Sequence, residues 1–193
     1  YKAFNWFEIK KSECSYCYSV SYNINSFNIF ELDIFGCSKY KKNHCITLYD
    51  CLDYHALQRN NILYCDNCKD YTKIFNSSKI YSSPNLFAFS LDRKNLDNNY
   101  LNIMFYVQDK IDIQNFVENK QAPKQYQLIG IISFNIQEKQ YVCFCMSPIN
   151  KQWYCYNDEN IYNVQNDMIL KLNNNNQYIP CILLYQSVLN NFH

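Results

Sequence analysis

The chain has 193 residues, 48% of them hydrophobic and 18% aromatic, and a formal net charge of +1. That length suits one domain, or most of a larger one, with a real core. The near-zero charge gives no electrostatic basis for gripping a phosphate backbone, so nucleic acid is not an expected partner. No apolar run approaches the roughly 20 residues needed to span a bilayer, so no membrane association is expected either.

Tyr1-Lys2-Ala3-Phe4 leads directly into strand-like sequence with no secretory signal, and the first residue is not Met, which leaves room for an upstream portion. The 11 cysteines are an odd number, which argues against a complete disulfide framework and for a reducing compartment, cytoplasm or nucleus. Glycine occurs only at Gly36 and Gly130, while Tyr and Asn abound.

In chain order, the first informative element is Cys14-x-x-Cys17. Phe27–Leu32 then alternates with period two and predicts a strand. In Ile46–Arg59 the residues Leu48, Cys51, Leu52, His55 and Leu57 fall near helical spacing, with Thr47 or Asp50 as the cap. Cys65-x-x-Cys68 follows, then strand sequence at Tyr71–Ile80 and an apolar run at Leu86–Leu91 that fits a buried strand. Pro84 sits just before that run, where a missing N–H is tolerated. Four further strands are expected at Tyr126–Ile132, Gln140–Met146, Trp153–Asn157 and Tyr178–Gln186. Polar linkers at Ser133–Lys139, Ser147–Gln152 and Asn173–Gln177 join them, which points to one antiparallel sheet rather than βαβ units.

Each CxxC turn places two thiolates on one side of a tight loop, and two such turns supply the four sulfurs of a tetrahedral zinc site. Cys14, Cys17, Cys65 and Cys68 are therefore the candidate ligands of a structural zinc, and the Ser19–Tyr64 segment is long enough to leave the metal, fold as its own unit and return. The alternative is unrelated thiols in a cysteine-rich chain. The other cysteines are Cys37, Cys45, Cys51, Cys143, Cys145, Cys155 and Cys181. Most lie in alternating apolar stretches, where a thiol packs as a small hydrophobe. Cys143 and Cys145 alternate with Val142 and Phe144 and read as core rather than as nucleophiles. His55 reads as a helix-surface or interface residue, His44 as a weak ligand candidate, and His193 as a frayed end. Tyr16, Tyr18 and Tyr22 beside the first knuckle could form a protein-binding face.

The order of these pieces resembles the later part of a ubiquitin-specific protease catalytic domain. Ile46-Thr47-Leu48-Tyr49-Asp50-Cys51-Leu52 is similar to that family's helix before the second knuckle, and Tyr64-Cys65-Asp66-Asn67-Cys68-Lys69 to the knuckle itself. Ser83-Pro84-Asn85-Leu86 and Leu91-Asp92-Arg93-Lys94 resemble its "LPxxL…LKRF" strand, and Ile111-Asp112-Ile113 the segment before the palm strands. Tyr126-Gln127-Leu128-Ile129-Gly130-Ile131 is similar to "YxLxGV", Trp153–Asp158 to "WYxFDD/ND", and Tyr178–Tyr185 to "AYxLFY".

The resemblance implies an α+β, mainly antiparallel, papain-type cysteine peptidase fold, with zinc-bearing fingers over about residues 10–82 and a palm sheet over about 83–193 of a partial domain spanning 1–193. The thumb would be absent. It also implies ubiquitin or a ubiquitinated protein as partner, with a larger complex as a further expected setting, and thiol-dependent hydrolysis after the C-terminal Gly of ubiquitin as the family's reaction. Two departures stand out. No "GNTCYMN"-like nucleophile box occurs, and the "GHY" preceding the strand at Tyr141 reads Lys139-Gln140-Tyr141, so Gln140 stands where the catalytic His belongs. No histidine lies between His55 and His193, so none falls in the palm strands. Asn157 holds the third triad position, although Asn157-Asp158 also makes a good turn. The Ser133–Lys139 loop is short and lacks Gly, unlike the family's longer loop over the ubiquitin tail. Three readings follow: an inactive ubiquitin-binding or scaffold module, a fragment of an active deubiquitinase whose nucleophile lies upstream, or a zinc-stabilised interaction module without ubiquitin binding.

Overall fold

A computed structural model describes residues 3–42, 45–57, 59–94, 103–172 and 177–188. The loop expected at 173–176 and both His44 and His193 lie outside the described residues. Strands β1 (Trp6–Cys14) and β2 (Val20–Phe27) form a hairpin through the first CxxC turn. The chain then leaves this sheet through β3 (Phe30–Asp33), α1 (Ile34–Lys41), β4 (Cys45–Thr47) and α2 (Leu48–Ala56). It returns as a second hairpin, β5 (Arg59–Cys65) and β6 (Asp70–Ser82), closed by the second CxxC turn. Because β6 pairs antiparallel with β1, the result is a four-stranded sheet of order β2-β1-β6-β5 with both knuckles at one end.

The second sheet is larger. It contains β7 (Leu86–Asp92), β10 (Gln125–Asn135), β11 (Gln140–Met146), β12 (Trp153–Asn157), β13 (Asn160–Val164) and β14 (Tyr178–Ser187), in the order β13-β12-β11-β10-β14-β7-β3. Between β7 and β10 lie the short strands β8 (Met104–Tyr106) and β9 (Lys110–Asp112); β8 pairs parallel with β4, and β9 adds to β10. The four strands expected in the C-terminal third share this sheet through antiparallel ladders. Pro180 sits at a register shift opposite Ser133, where a missing ladder N–H costs least. A short helix, α3 (Asn166–Leu170), follows β13.

Several expectations are corrected. The alternation over Phe27–Leu32 is not one strand: β2 ends at Phe27, and Phe30 opens β3, which joins the other sheet and pairs parallel with β7. Trp6 explains the break, because its indole is stacked between Phe27 (5.1 Å) and Phe30 (4.5 Å) where the two sheets meet. The residues between the knuckles thus do not fold as a unit of their own; β3 lies in the large sheet. The helix expected over Ile46–Arg59 is only Leu48–Ala56. Thr47 caps it in a capping box with Asp50, Ile46 is drawn into β4, and Arg59 opens β5 opposite Asn76. Elements with weak periodicity, namely α1, β5, β13 and α3, were not foreseen.

Most of the buried apolar side chains form one cluster. It runs from Trp6, Phe30 and Leu32 through Cys37, Cys51 and Leu52 of the helices to Phe87, Phe89, Tyr126, Phe144 and Tyr185 of the large sheet. Fully burying each large side chain contributes about 2 kcal/mol. Buried Arg93 donates to the backbone carbonyls of Ile103 and Pro180, tying the end of β7 to β14. The knuckle end has a separate core of three buried residues only, Cys14, Cys65 and Ile74.

Candidate functional site

Both CxxC turns are built alike. Cys14 closes β1 and Cys65 closes β5; Tyr18 N–H donates to the Cys14 carbonyl (3.0 Å) and Lys69 N–H to the Cys65 carbonyl (2.8 Å). Tyr18 and Lys69 then take left-handed backbone (φ 59° and 56°), which reverses the chain into the next strand. All four sulfurs lie within 4.8 Å of one another, with Cys14–Cys68 and Cys17–Cys65 each at 3.7 Å. A tetrahedral zinc with bonds of about 2.3 Å requires sulfurs about 3.8 Å apart, so the cluster has the size and the donor set for a closed metal site.

The surroundings favour thiolates at Cys14 and Cys17, while burial and its sulfur neighbours push the Cys68 thiol up. Tyr16 N–H donates to Cys14 Sγ (3.4 Å), Thr72 Oγ1 lies 3.2 Å from Cys14 Sγ, and Ser19 Oγ lies 3.1 Å from Cys17 Sγ. The Ser19 hydroxyl, with help from Asn67, pulls Cys17 down to about 5. Ser19 and Thr72 were not singled out from sequence; for Ser19 the available signal was a hydroxyl two residues beyond Cys17. Tyr16, Tyr18 and Tyr22 are all strongly exposed at this end.

His55 takes no part in the sulfur cluster. From α2 its Nε2 meets Glu8 Oε1 of β1 at 2.9 Å, and its ring stands edge-on to Phe30 at 4.7 Å. It is an interface residue between a helix and the four-stranded sheet.

A second site lies in the eight-stranded sheet. Gln140 opens β11 and Asn157 closes β12, so two adjacent strand ends bring the side chains together. Gln140 Nε2 donates to Asn157 Oδ1. The Glu138 carboxylate, which sequence reading missed, accepts from Gln140 Nε2 and from Asn157 Nδ2, each at 3.0 Å. Glu138 reaches them because the β10–β11 connection is a tight turn. Strand β10 runs to Asn135, which pairs with Gln140, and Asn135 Oδ1 accepts from the N–H groups of Gln137 and Glu138. The loop expected over Ser133–Lys139 is therefore only Ile136–Lys139, with Lys139 in left-handed backbone at φ 55°.

Cys143 and Cys145 were expected in the core. Val142 and Phe144 are buried, but the two cysteines point to the opposite face of β11 and are half-buried, with their sulfurs 3.3 Å apart. Of the other cysteines, Cys37, Cys51 and Cys155 are buried as expected, while Cys45 and Cys181 are half-buried. Among the described residues, no helix is long and apolar enough to cross a membrane.

Comparison with known proteins agrees with this architecture. The chain is similar to ubiquitin carboxyl-terminal hydrolase 48 of Rattus norvegicus, 25% identical over 156 residues, and to that of Gallus gallus at 24%. These matches cover 77% of this chain but only 15% of either relative. Among solved structures, the yeast SAGA DUBm with a mutant Sgf73 superposes with a TM-score of 0.77 at 22% identity, and the SAGA Ubp8/Sgf11/Sus1/Sgf73 DUB module bound to ubiquitin aldehyde with 0.75 at 20%. Both cover 97% of this chain, which spans 41% and 42% of the respective chains. A sequence model of the ubiquitin carboxyl-terminal hydrolase family matches residues 6–185. The chain belongs to the ubiquitin carboxyl-terminal hydrolase family, as a domain of the ubiquitin-specific protease type related to deubiquitination.

Proposed function

We propose that this chain is a catalytically silent member of its family that engages ubiquitin or a ubiquitinated protein, as part of a larger complex in the cytoplasm or nucleus. The four-stranded sheet serves as zinc-bearing fingers and the eight-stranded sheet as the palm. The observation that carries the reading is the amide pair: Gln140 hydrogen-bonds to Asn157, the two residues that the resemblance assigns to the imidazole and to the group that orients it. A cysteine protease needs a base that takes the thiol proton, holds a thiolate and returns the proton to the leaving amine. An amide has no pKa near neutrality and hydrogen-bonds a thiol without deprotonating it. Glu138 does not substitute, since its carboxylate is engaged by the Gln140 and Asn157 amides. Asn157, held by Gln140 and Glu138, has nothing to orient.

Zinc is the metal that fits the closed all-sulfur set of Cys14, Cys17, Cys65 and Cys68. Its contribution is a crosslink between two hairpins, with no open position for chemistry. Partner binding finds support in the neighbours, whose structures include a multi-subunit module bound to ubiquitin aldehyde and another bound to monoubiquitin. A second reading, a piece of an active deubiquitinase with its nucleophile outside this chain, is favoured by the 41% span of the solved neighbour.

Incubation of this chain with a fluorogenic ubiquitin amide tests the silent reading. The same assay on the protein extended by whatever sequence lies upstream separates it from the second: turnover there favours the active enzyme, none the silent member. The chain and its Gln140→His variant should both show no turnover above buffer, because one restored triad member without its nucleophile gives little. Turnover by the chain, or its appearance in the variant, overturns the silent reading. Labelled ubiquitin titrated against the zinc-loaded chain should bind saturably, and no binding leaves only a structural interaction module.

A further inference from the structure

We propose that Ser19 and Thr72 are positioning residues for the metal: their hydroxyls donate to ligand sulfurs and thereby hold zinc in the site. The inference rests on the zinc reading above and deepens it. Ser19 Oγ lies 3.1 Å from Cys17 Sγ and 3.8 Å from Cys65 Sγ, so one hydroxyl reaches a sulfur of each knuckle. Thr72 Oγ1 lies 3.2 Å from Cys14 Sγ. The knuckles themselves aim both groups. Cys14 N–H donates to the Ser19 carbonyl (3.0 Å), which folds Ser19 back over the turn just before β2 begins at Val20. Ser15 N–H donates to the Lys73 carbonyl (2.9 Å), which ties the first knuckle to β6 beside Thr72.

Chemistry fixes the direction of these bonds. A sulfur bound to zinc has lost its proton and can only accept, so each hydroxyl must be the donor. Four thiolates around one zinc ion leave a surplus of two negative charges. Cys14 and Cys65 are buried, which limits how far water can stabilise that surplus, and protein donors take its place. The Tyr16 N–H is one such donor to Cys14. A hydroxyl that donates to a thiolate stabilises it against reprotonation, the reaction that competes with metal binding. Ser19 and Thr72 thus act through the sulfurs rather than as ligands.

The test compares the wild-type chain with Ser19→Ala, Thr72→Val and the double variant, each loaded with zinc and titrated with a chromophoric chelator at neutral pH. Each single variant should bind zinc about tenfold more weakly, and the double variant about 100-fold. Thr72→Ser keeps the hydroxyl and should retain wild-type affinity. Ser12→Ala is the control, because the Ser12 hydroxyl donates to Asn76 Oδ1 (2.7 Å), and its affinity should not change. Cobalt(II) in place of zinc reports on the sulfurs directly. Losing a hydroxyl donor raises the energy of the sulfur lone pairs. The thiolate-to-cobalt charge-transfer band should therefore move to longer wavelength in Ser19→Ala and Thr72→Val, but not in Ser12→Ala. A merely structural role would weaken binding without moving that band. The proposal fails if both variants hold zinc as tightly as wild type, if the band stays in place, or if Ser12→Ala loosens zinc equally. A wild-type chain that binds neither metal overturns the zinc reading and this proposal with it, an outcome distinct from the other three.

Discussion

Glu8 and His55 join the four-stranded sheet to α2 through one contact of 2.9 Å, and Glu8 is almost completely buried. The hydrogen bond from His55 holds the Glu8 carboxyl below its ordinary value, against the opposing effect of burial. A depressed carboxylate pKa means that folding is favoured by the ionised form. This contribution is complete above the unfolded-state value and disappears as pH falls through the folded one. Glu8→Gln should therefore cost about 1 kcal/mol at neutral pH, and the difference from wild type should vanish in acid. Urea midpoints measured for both proteins from pH 7 to pH 3 check this; a difference that persists unchanged at the acid end contradicts it. At this scale the sequence named Gln140, Asn157 and the four cysteines. It could not name Glu138, Ser19 or Glu8, because each acts through a neighbour that only folding brings within reach.

Helix α2 shows what an element inherits from its own residues. Thr47 N–H donates to Asp50 Oδ2 (3.0 Å), and Asp50 N–H donates to Thr47 Oγ1 (3.2 Å), so two otherwise orphaned donors are satisfied reciprocally. Thr47→Ala should lower global stability by about 1 kcal/mol. In hydrogen exchange the first turn of α2 should lose protection before the rest of the helix; a helix that instead loses protection uniformly, with an unchanged denaturation midpoint, argues against the cap. This start was legible from the Thr-x-x-Asp spacing. The end was not: Leu57 and Arg59 continue the helical pattern, but Arg59 is recruited by Asn76 on β6, a partner 17 residues further on. The alternation over Phe27–Leu32 misled for a related reason, since period two is equally served by two strands that belong to different sheets.

The whole molecule has two unequal cores. The large cluster joins the helices to the eight-stranded sheet, whereas the knuckle end rests on Cys14, Cys65 and Ile74. Three buried residues cannot offset the ordering of two hairpin ends, and a zinc held by the proposed sulfur ligands would supply the difference; structural zinc in small peptides contributes on the order of 10 kcal/mol. Removing zinc with a chelator, or substituting Cys65→Ser, should abolish exchange protection in β5 and in the distal halves of β1 and β6. The ladders of β10, β11 and β14 should keep theirs. If both sheets lose protection together, the two ends are one cooperative unit and the division is wrong. Labelled-ubiquitin binding should fall with the zinc if the fingers carry it.

The sequence by itself determined which four cysteines converge, the strand series of the C-terminal third and the absence of any histidine from those strands, because each depends on residue identity and local spacing. Two CxxC turns are chemically specific wherever the chain takes them, and an amide cannot acquire a pKa near neutrality through folding. Only the tertiary structure decided that β3 crosses into the large sheet beside Trp6, that Glu138 closes the amide pair, and that Cys143 and Cys145 face away from the core. Those outcomes depend on which of two faces a strand buries and on partners far apart in the chain. A pattern of period two leaves both open.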